Sequence, residues 1–267
     1  MIDPALISYS PFDKPEICRR LFYPRRALDP GKGEGFESLM IPVARDVALG
    51  GVFHESGKEA PTILFFHGNG EVVTDYDDIG AMYRRMGINF LPVDYRGYGF
   101  STGRPTVTEM MRDSHRVFHF VDSWLGERGF SGPVVIMGRS LGSAPALEIA
   151  FHNGEGIAGL IVESGFARIL PLLRLLDIDD PELTEESGPG NLEKIKRIQK
   201  PTLIIHAEND QIIPFAEGEA LYAASGAAEK TFVRVPGAGH NDIFFRGMKL
   251  YREAIEKLAE IVMVRPH

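Results

Sequence analysis

Two stretches of the chain fit Gly-x-Ser-x-Gly, the pattern that carries the nucleophile of many serine hydrolases: Gly99-Phe100-Ser101-Thr102-Gly103 and Gly138-Arg139-Ser140-Leu141-Gly142. A serine hydroxyl is a weak nucleophile near neutral pH. It needs a base within hydrogen-bond reach and an acid that orients the base. Further on, "TLIIHAENDQIIP" supplies Asp210 and "TFVRVPGAGHNDI" supplies His240, in the chain order Ser, Asp, His that suits a strand-to-helix nucleophile turn. His240 is expected to take the serine proton and return it to the leaving group, and Asp210 to hold the imidazole in the right tautomer.

Context separates the two serines. Ser140 follows the apolar run "PVVIM" directly and precedes "LGSAPALEIA", whose Leu, Ala and Glu favour a helix. Strand, tight turn and helix are what a nucleophile elbow requires, and Gly138, Gly142, Ser143 and Ala144 are all small, as the crowding there demands. Ser101 lies six residues past the end of its strand run, and Pro105 delays the next helix, which is expected to start at a capping pair, Thr106 and Glu109. Ser140 is therefore the expected nucleophile. Acyl transfer also needs amide donors aimed at the developing oxyanion; these are expected to be the backbone N–H groups of Leu141, at the start of the elbow helix, and of Asn69, in the loop after "TILFFH".

Rival acids sit close by: Glu208 in the turn of Asp210, Asp242 two residues past His240, and Glu163 at a strand end. Asp210 leads because its strand end is the one expected to face the histidine loop. A different chemistry is suggested by "HGNGEVV" followed by Asp94, which partly fits a dinucleotide-binding fingerprint. Val73 stands where the third glycine belongs, so the fit is weak. His115 and His119 have helical i, i+4 spacing but lack an intervening Glu and a third ligand, so no metal site is expected, and no cofactor.

The elements that must position these residues are legible from Pro61 onward. Six short apolar runs, 62–67, 88–95, 133–138, 157–163, 202–207 and 231–236, alternate with helical stretches at about 75–86, 107–128, 141–152, 215–224 and 242–261. That alternation predicts an α/β fold, a doubly wound, mostly parallel sheet with helices on both faces and active groups at the carboxyl ends of the strands. Before it, "SLMIPV" and "VALGGVFHE" read as an antiparallel hairpin. Residues 1–37, rich in Pro, Arg and Gly, read as an irregular amino-terminal arm, and 38–267 as a single domain with a short cap-like insertion at about 164–200. In "RILPLLRLLDIDDPELTEE" the apolar half is read mainly as core packing, with some leucines available to line an acyl pocket. The acidic half reads as a solvated face.

At 267 residues and 44% hydrophobic, the chain has enough apolar material for one sizeable core. Its 29 basic against 37 acidic residues give a net charge of -8, which disfavours nucleic acid as a partner. The lone Cys18 forms no internal disulfide, the start lacks the features of a signal peptide, and no apolar run is long enough to span a membrane, so a cytoplasmic location is the expectation.

Taken together, "HGNG", "DYRGYGFSTG", "GRSLGS", "LIIHAENDQIIP" and "GAGHNDI" resemble the motif series of the α/β-hydrolases, across about residues 60 to 260. The resemblance is to small serine hydrolases without a large cap, including the branch that contains the eukaryotic protein depalmitoylases. It implies a sheet of about eight strands and a Ser140, Asp210, His240 triad. Depalmitoylases carry a cysteine-rich lipidated amino terminus, whereas this chain has only Cys18. The expected activity is hydrolysis of carboxylic esters or thioesters of a small-molecule or acylated substrate through an acyl-enzyme; an amidase or peptidase using the same triad is the alternative.

Overall fold

In a computed structural model, residues 3–264 are described. After the hairpin, β2 (Phe36–Ala44) and β3 (Val47–His54), come five strands of the parallel sheet, β4 (Thr62–Phe66), β5 (Asn89–Val93), β6 (Val134–Arg139), β7 (Gly159–Glu163) and β8 (Thr202–Ala207), and then β9 (Lys230–Val235). Each run expected from the sequence is present, within a few residues at its ends. A two-residue strand, β1 (Lys32–Gly33), extends the sheet beyond the eight expected strands. The order is β1-β2-β3-β5-β4-β6-β7-β8-β9, with β1, β2, β3 and β5 antiparallel in turn and every later pairing parallel.

Strand periodicity builds two cores. Leu64, Phe66, Ile136, Leu160, Val162 and Ile204 point to one face. Their neighbours Ile63, Phe65, Val135, Met137, Ile161 and Leu203 point to the other. On the first face pack α3 (Val107–Glu127), α4 (Ser143–His152) and α7 (Phe215–Ala224); on the second, α2 (Asp77–Arg85) and α8 (Ile243–Val264), the latter kinked at Gly247. Thr106 caps α3 by accepting from the Glu109 amide at 3.1 Å. Glu109 turns its carboxylate away to Arg96 instead of closing the capping pair.

The arm is more ordered than its composition suggests. Two 3-10 turns lead into α1 (Pro15–Leu21), started by a proline at its first position, and Ile7, Phe12, Ile17, Leu21 and Phe22 are buried in the main core. Between β7 and β8 the chain forms α5 (Ile169–Leu175) and α6 (Asn191–Ile195). Both these helices and α1 are too short for a periodic pattern to announce them, and Pro15 and Pro171 lower their apparent propensity.

Candidate active site

The reversal of strand order lies at β4: β5 pairs on one side of it and β6 on the other, so the loops leaving β4 and β6 diverge and open a crevice. Ser140 stands at the end of β6 with φ +53°, a left-handed backbone that a non-glycine residue rarely adopts. The glycines around it answer to space. A Cβ on Gly138 would lie 2.1 Å from the Gly142 carbonyl oxygen, and one on Gly142 would lie 2.0 Å from that of Phe66. The elbow thus closes only with bare backbone at both positions. Ser143 secures the first turn beyond it, its hydroxyl donating to the Ser140 carbonyl at 2.7 Å.

The structure brings the three residues singled out by motif into one hydrogen-bonded chain. Ser140 Oγ lies 3.0 Å from His240 Nε2, and His240 Nδ1 lies 2.7 Å from Asp210 Oδ2. Asp210 Oδ1 accepts from the amides of Ile212 (3.0 Å) and Ile213 (2.8 Å). Burial opposes the ionisation of Asp210, but the hydrogen bond and charge of His240, with those two amides, hold its carboxyl below the usual range. His206 braces the same turn, its Nε2 donating to the Ile213 carbonyl at 2.9 Å.

The rival acids have other partners. Glu208 pairs with Arg234 and accepts from the Gly237 amide, and Asp242 pairs with Arg246. Glu163 meets Arg139, the variable residue of the elbow motif. Arg139 is only 7% exposed and its guanidinium ties four pieces of the site together. It donates to Glu163 Oε1 (3.1 Å), to the His240 carbonyl (2.8 Å), to Asn241 Oδ1 (3.1 Å) and to Glu71 in the loop after β4. Glu71 in turn accepts from the Gly68 amide and the Tyr76 hydroxyl, both at 2.6 Å. Burial drives the Glu163 carboxyl upward despite Arg139, whereas Arg139 and Tyr76 overcome burial at Glu71 and hold it down. Sequence reading missed this arginine because a motif's variable position carries no expectation; the faint signal was a charge between two glycines at a buried strand end.

Leu141 and Asn69 both line the cavity in front of Ser140. The Asn69 side chain has a separate task, accepting from the Tyr23 amide (2.8 Å) and the Tyr98 hydroxyl (2.7 Å). The cavity measures about 240 Å³, and its apolar walls are Leu21, Leu141, Leu172, Leu176 and Ile212. Along α5 and its capping residue Leu176 the apolar side chains divide by helical spacing: Ile169 and Leu173 are buried in the core, while Leu172 and Leu176 line the cavity. Of the acidic half, Asp180 and Glu182 pair with Lys14, and Glu185 accepts from the Ile169 and Leu170 amides.

Ser101 lies elsewhere. It is fully buried and its Oγ accepts from the Gly50 amide at 2.8 Å. Asp94, the residue a dinucleotide ribose would require, is fully buried and accepts from the Val73 amide at 3.0 Å. His115 contacts Glu148 and Asn153, and among the described residues no group of three or more His, Cys, Asp or Glu is arranged to hold a metal ion. None of the described helices is long and apolar enough to cross a membrane.

This fold and site define an α/β hydrolase, and comparison with known proteins agrees. The family model described as serine aminopeptidase S33 matches residues 57–177. An uncharacterized protein of Mycobacterium tuberculosis is 31% identical over 227 residues, covering 77% of this chain and 75% of that one. The α/β hydrolase domain-containing protein aho-3 of Caenorhabditis elegans is 29% identical over 209 residues, 75% of this chain and 57% of the nematode protein, so the chain spans little more than half of that relative. Among solved structures, the Pyrococcus furiosus esterase Pf2001 superposes with a TM-score of 0.71 at 17% identity, over 90% of this chain and 99% of the esterase. The chain belongs to the α/β-hydrolase superfamily, and hydrolysis is the activity that membership supports.

Proposed function

We propose that the chain is a serine hydrolase that cleaves carboxylic esters or thioesters through an acyl-enzyme, with Ser140 as nucleophile, His240 as base and Asp210 as its orienting acid. The single observation that carries this reading is the Ser140–His240–Asp210 hydrogen-bonded chain, at 3.0 and 2.7 Å, opening onto an aliphatic cavity. Ser140 Oγ attacks the carbonyl carbon as His240 Nε2 takes its proton, and the amides of Leu141 and Asn69 receive the negative oxygen. Collapse expels the alcohol or thiol, which carries away the proton from His240. Water, deprotonated by His240, then attacks the acyl-enzyme, releases the carboxylic acid and restores Ser140.

An aminopeptidase using the same residues is the second reading, favoured by the description of the matching family. The aliphatic cavity walls favour the ester over a charged peptide terminus. Incubation with a fluorophosphonate probe followed by peptide mapping tests the class and the site together. Modification at Ser140 is expected; modification at Ser101, or none, would sink the assignment. Comparing kcat/KM for aryl esters and for aminoacyl anilides then separates esterase from peptidase.

A further inference from the structure

The amino-terminal arm, which composition left without a role, touches both sides of the cavity. On the insertion side, Lys14 pairs with Asp180 (2.6 Å) and Glu182 (2.7 Å), and Arg20 donates to the carbonyls of Leu176, at 3.1 Å, and Asp177, at the end of α5. On the other side, the Tyr23 amide binds Asn69, and Arg25 donates to the Gly70 carbonyl and pairs with Asp75. Beyond that the arm runs beside the Gly97–Gly103 turn, where the Gly99 amide donates to the Arg25 carbonyl (2.7 Å) and Arg26 donates to the Ser101 carbonyl (2.6 Å). Between these anchorages, Leu21, only 4% exposed, lines the same cavity as Ser140.

We propose that the arm and α5 together form a two-part cap over Ser140, and that Leu21 sets the length of the neutral acyl chain the cavity accepts. This rests on the serine hydrolase reading above. Asn69, Arg139, His240 and Asn241 line the cavity beside Ser140, while Leu21, Leu141, Leu172, Leu176 and Ile212 form an uncharged aliphatic part of its wall, so the moiety that part receives is apolar. A cavity of about 240 Å³ has room for a short to medium acyl chain. The ion pairs to Lys14 and the bonds from Arg20 tie the two halves of the cap to each other. The bonds from Tyr23 and Arg25 tie the arm to the loop that carries Asn69.

The test is the ratio of kcat/KM for p-nitrophenyl octanoate to that for the acetate, measured on the full chain. Leu21→Trp narrows the cavity and is expected to lower the ratio about tenfold or more, since each buried methylene contributes roughly 0.8 kcal/mol; Leu21→Ala is expected to move the preference to longer chains. Arg20→Ala, on an exposed side chain, loosens the cap without touching the wall and is expected to blunt chain-length discrimination, which keeps the proposal testable if the tryptophan variant does not fold. An unchanged ratio in the folded variants, with wild type labelled at Ser140 by a short-chain fluorophosphonate, overturns the cap and leaves the hydrolase reading standing. Failure of wild type to react with the probe or with any ester removes both.

Discussion

The two Gly-x-Ser-x-Gly loops share a five-residue pattern and a buried serine, yet they differ in what surrounds the hydroxyl. Ser101 Oγ accepts from the Gly50 amide in β3, a bond that fastens the turn to the antiparallel end of the sheet. The glycines there supply the curvature: Gly97, Gly99 and Gly103 all have positive φ, and a Cβ on Gly99 would strike Asp94. In the other loop the serine itself takes the positive φ, and the flanking glycines make room for close backbone. Strain placed on the glycines makes a turn; strain placed on the serine projects a hydroxyl toward His240. The motif pattern is the same, but a different residue carries the unusual backbone in each loop.

Substitutions can break or sharpen that contrast. The largest effect is expected at Ser140: Ser140→Ala should lower kcat by about 10⁴-fold or more, while Ser101→Ala retains most of it, measured on a common ester substrate. Comparable losses at both positions would erase the distinction. Next, Arg139→Gln should cost about 3–5 kcal/mol of stability in urea unfolding, because it leaves Glu163 buried without its cation; Arg139→Lys keeps the charge but not the fork and should recover only part. No change in the unfolding midpoint would mean that the elbow does not depend on its variable residue.

A somewhat smaller effect is expected near the Ser101 end of the sheet. His54 in β3 is buried between Phe36 and Phe90, and burial, with Arg84 beside it, lowers its imidazole from 6.5 to about 4. Below pH 6.5 the unfolded chain binds a proton that the folded chain refuses until about pH 4. Stability should therefore fall across that window, by about 3 kcal/mol at most, and stay level below it as far as this group is concerned. His54→Phe should flatten the fall in Tm between pH 6.5 and 4; an unaltered slope would assign it to other groups. Smallest is the stability cost of Ser101→Ala, about 1–3 kcal/mol for a buried amide left without its acceptor.

Much of this was legible in advance because parallel strands are apolar on both faces and stop abruptly at polar loops. The runs that end near His67, Gly138, Ala207 and Pro236 mark strand ends within about a turn, and Ser140, Asp210 and His240 follow three of them. The helices of the arm and the insertion were not legible as elements, being short, in α5 interrupted by Pro171, and held by contacts from far along the chain. Lys14 reaches Asp180 across 166 positions, and no local pattern encodes such a pair. Arg139 was hidden for the same reason: its partners Glu71, Glu163 and His240 lie 68, 24 and 101 positions away. The α5 leucines were half legible, since their spacing gave two faces without saying which face met the core.

The place of Leu21 on the cavity wall has a thermodynamic corollary. If the proposed cap holds, an occupant that packs on Leu21 favours the docked arm, so occupancy and arm docking share one linked free energy and each strengthens the other by the same factor. Arg19, Arg20, Arg25 and Arg26 are exposed on that arm, so in the proposed serine hydrolase slower cleavage of the arm by trypsin is the expected sign of an occupied cavity.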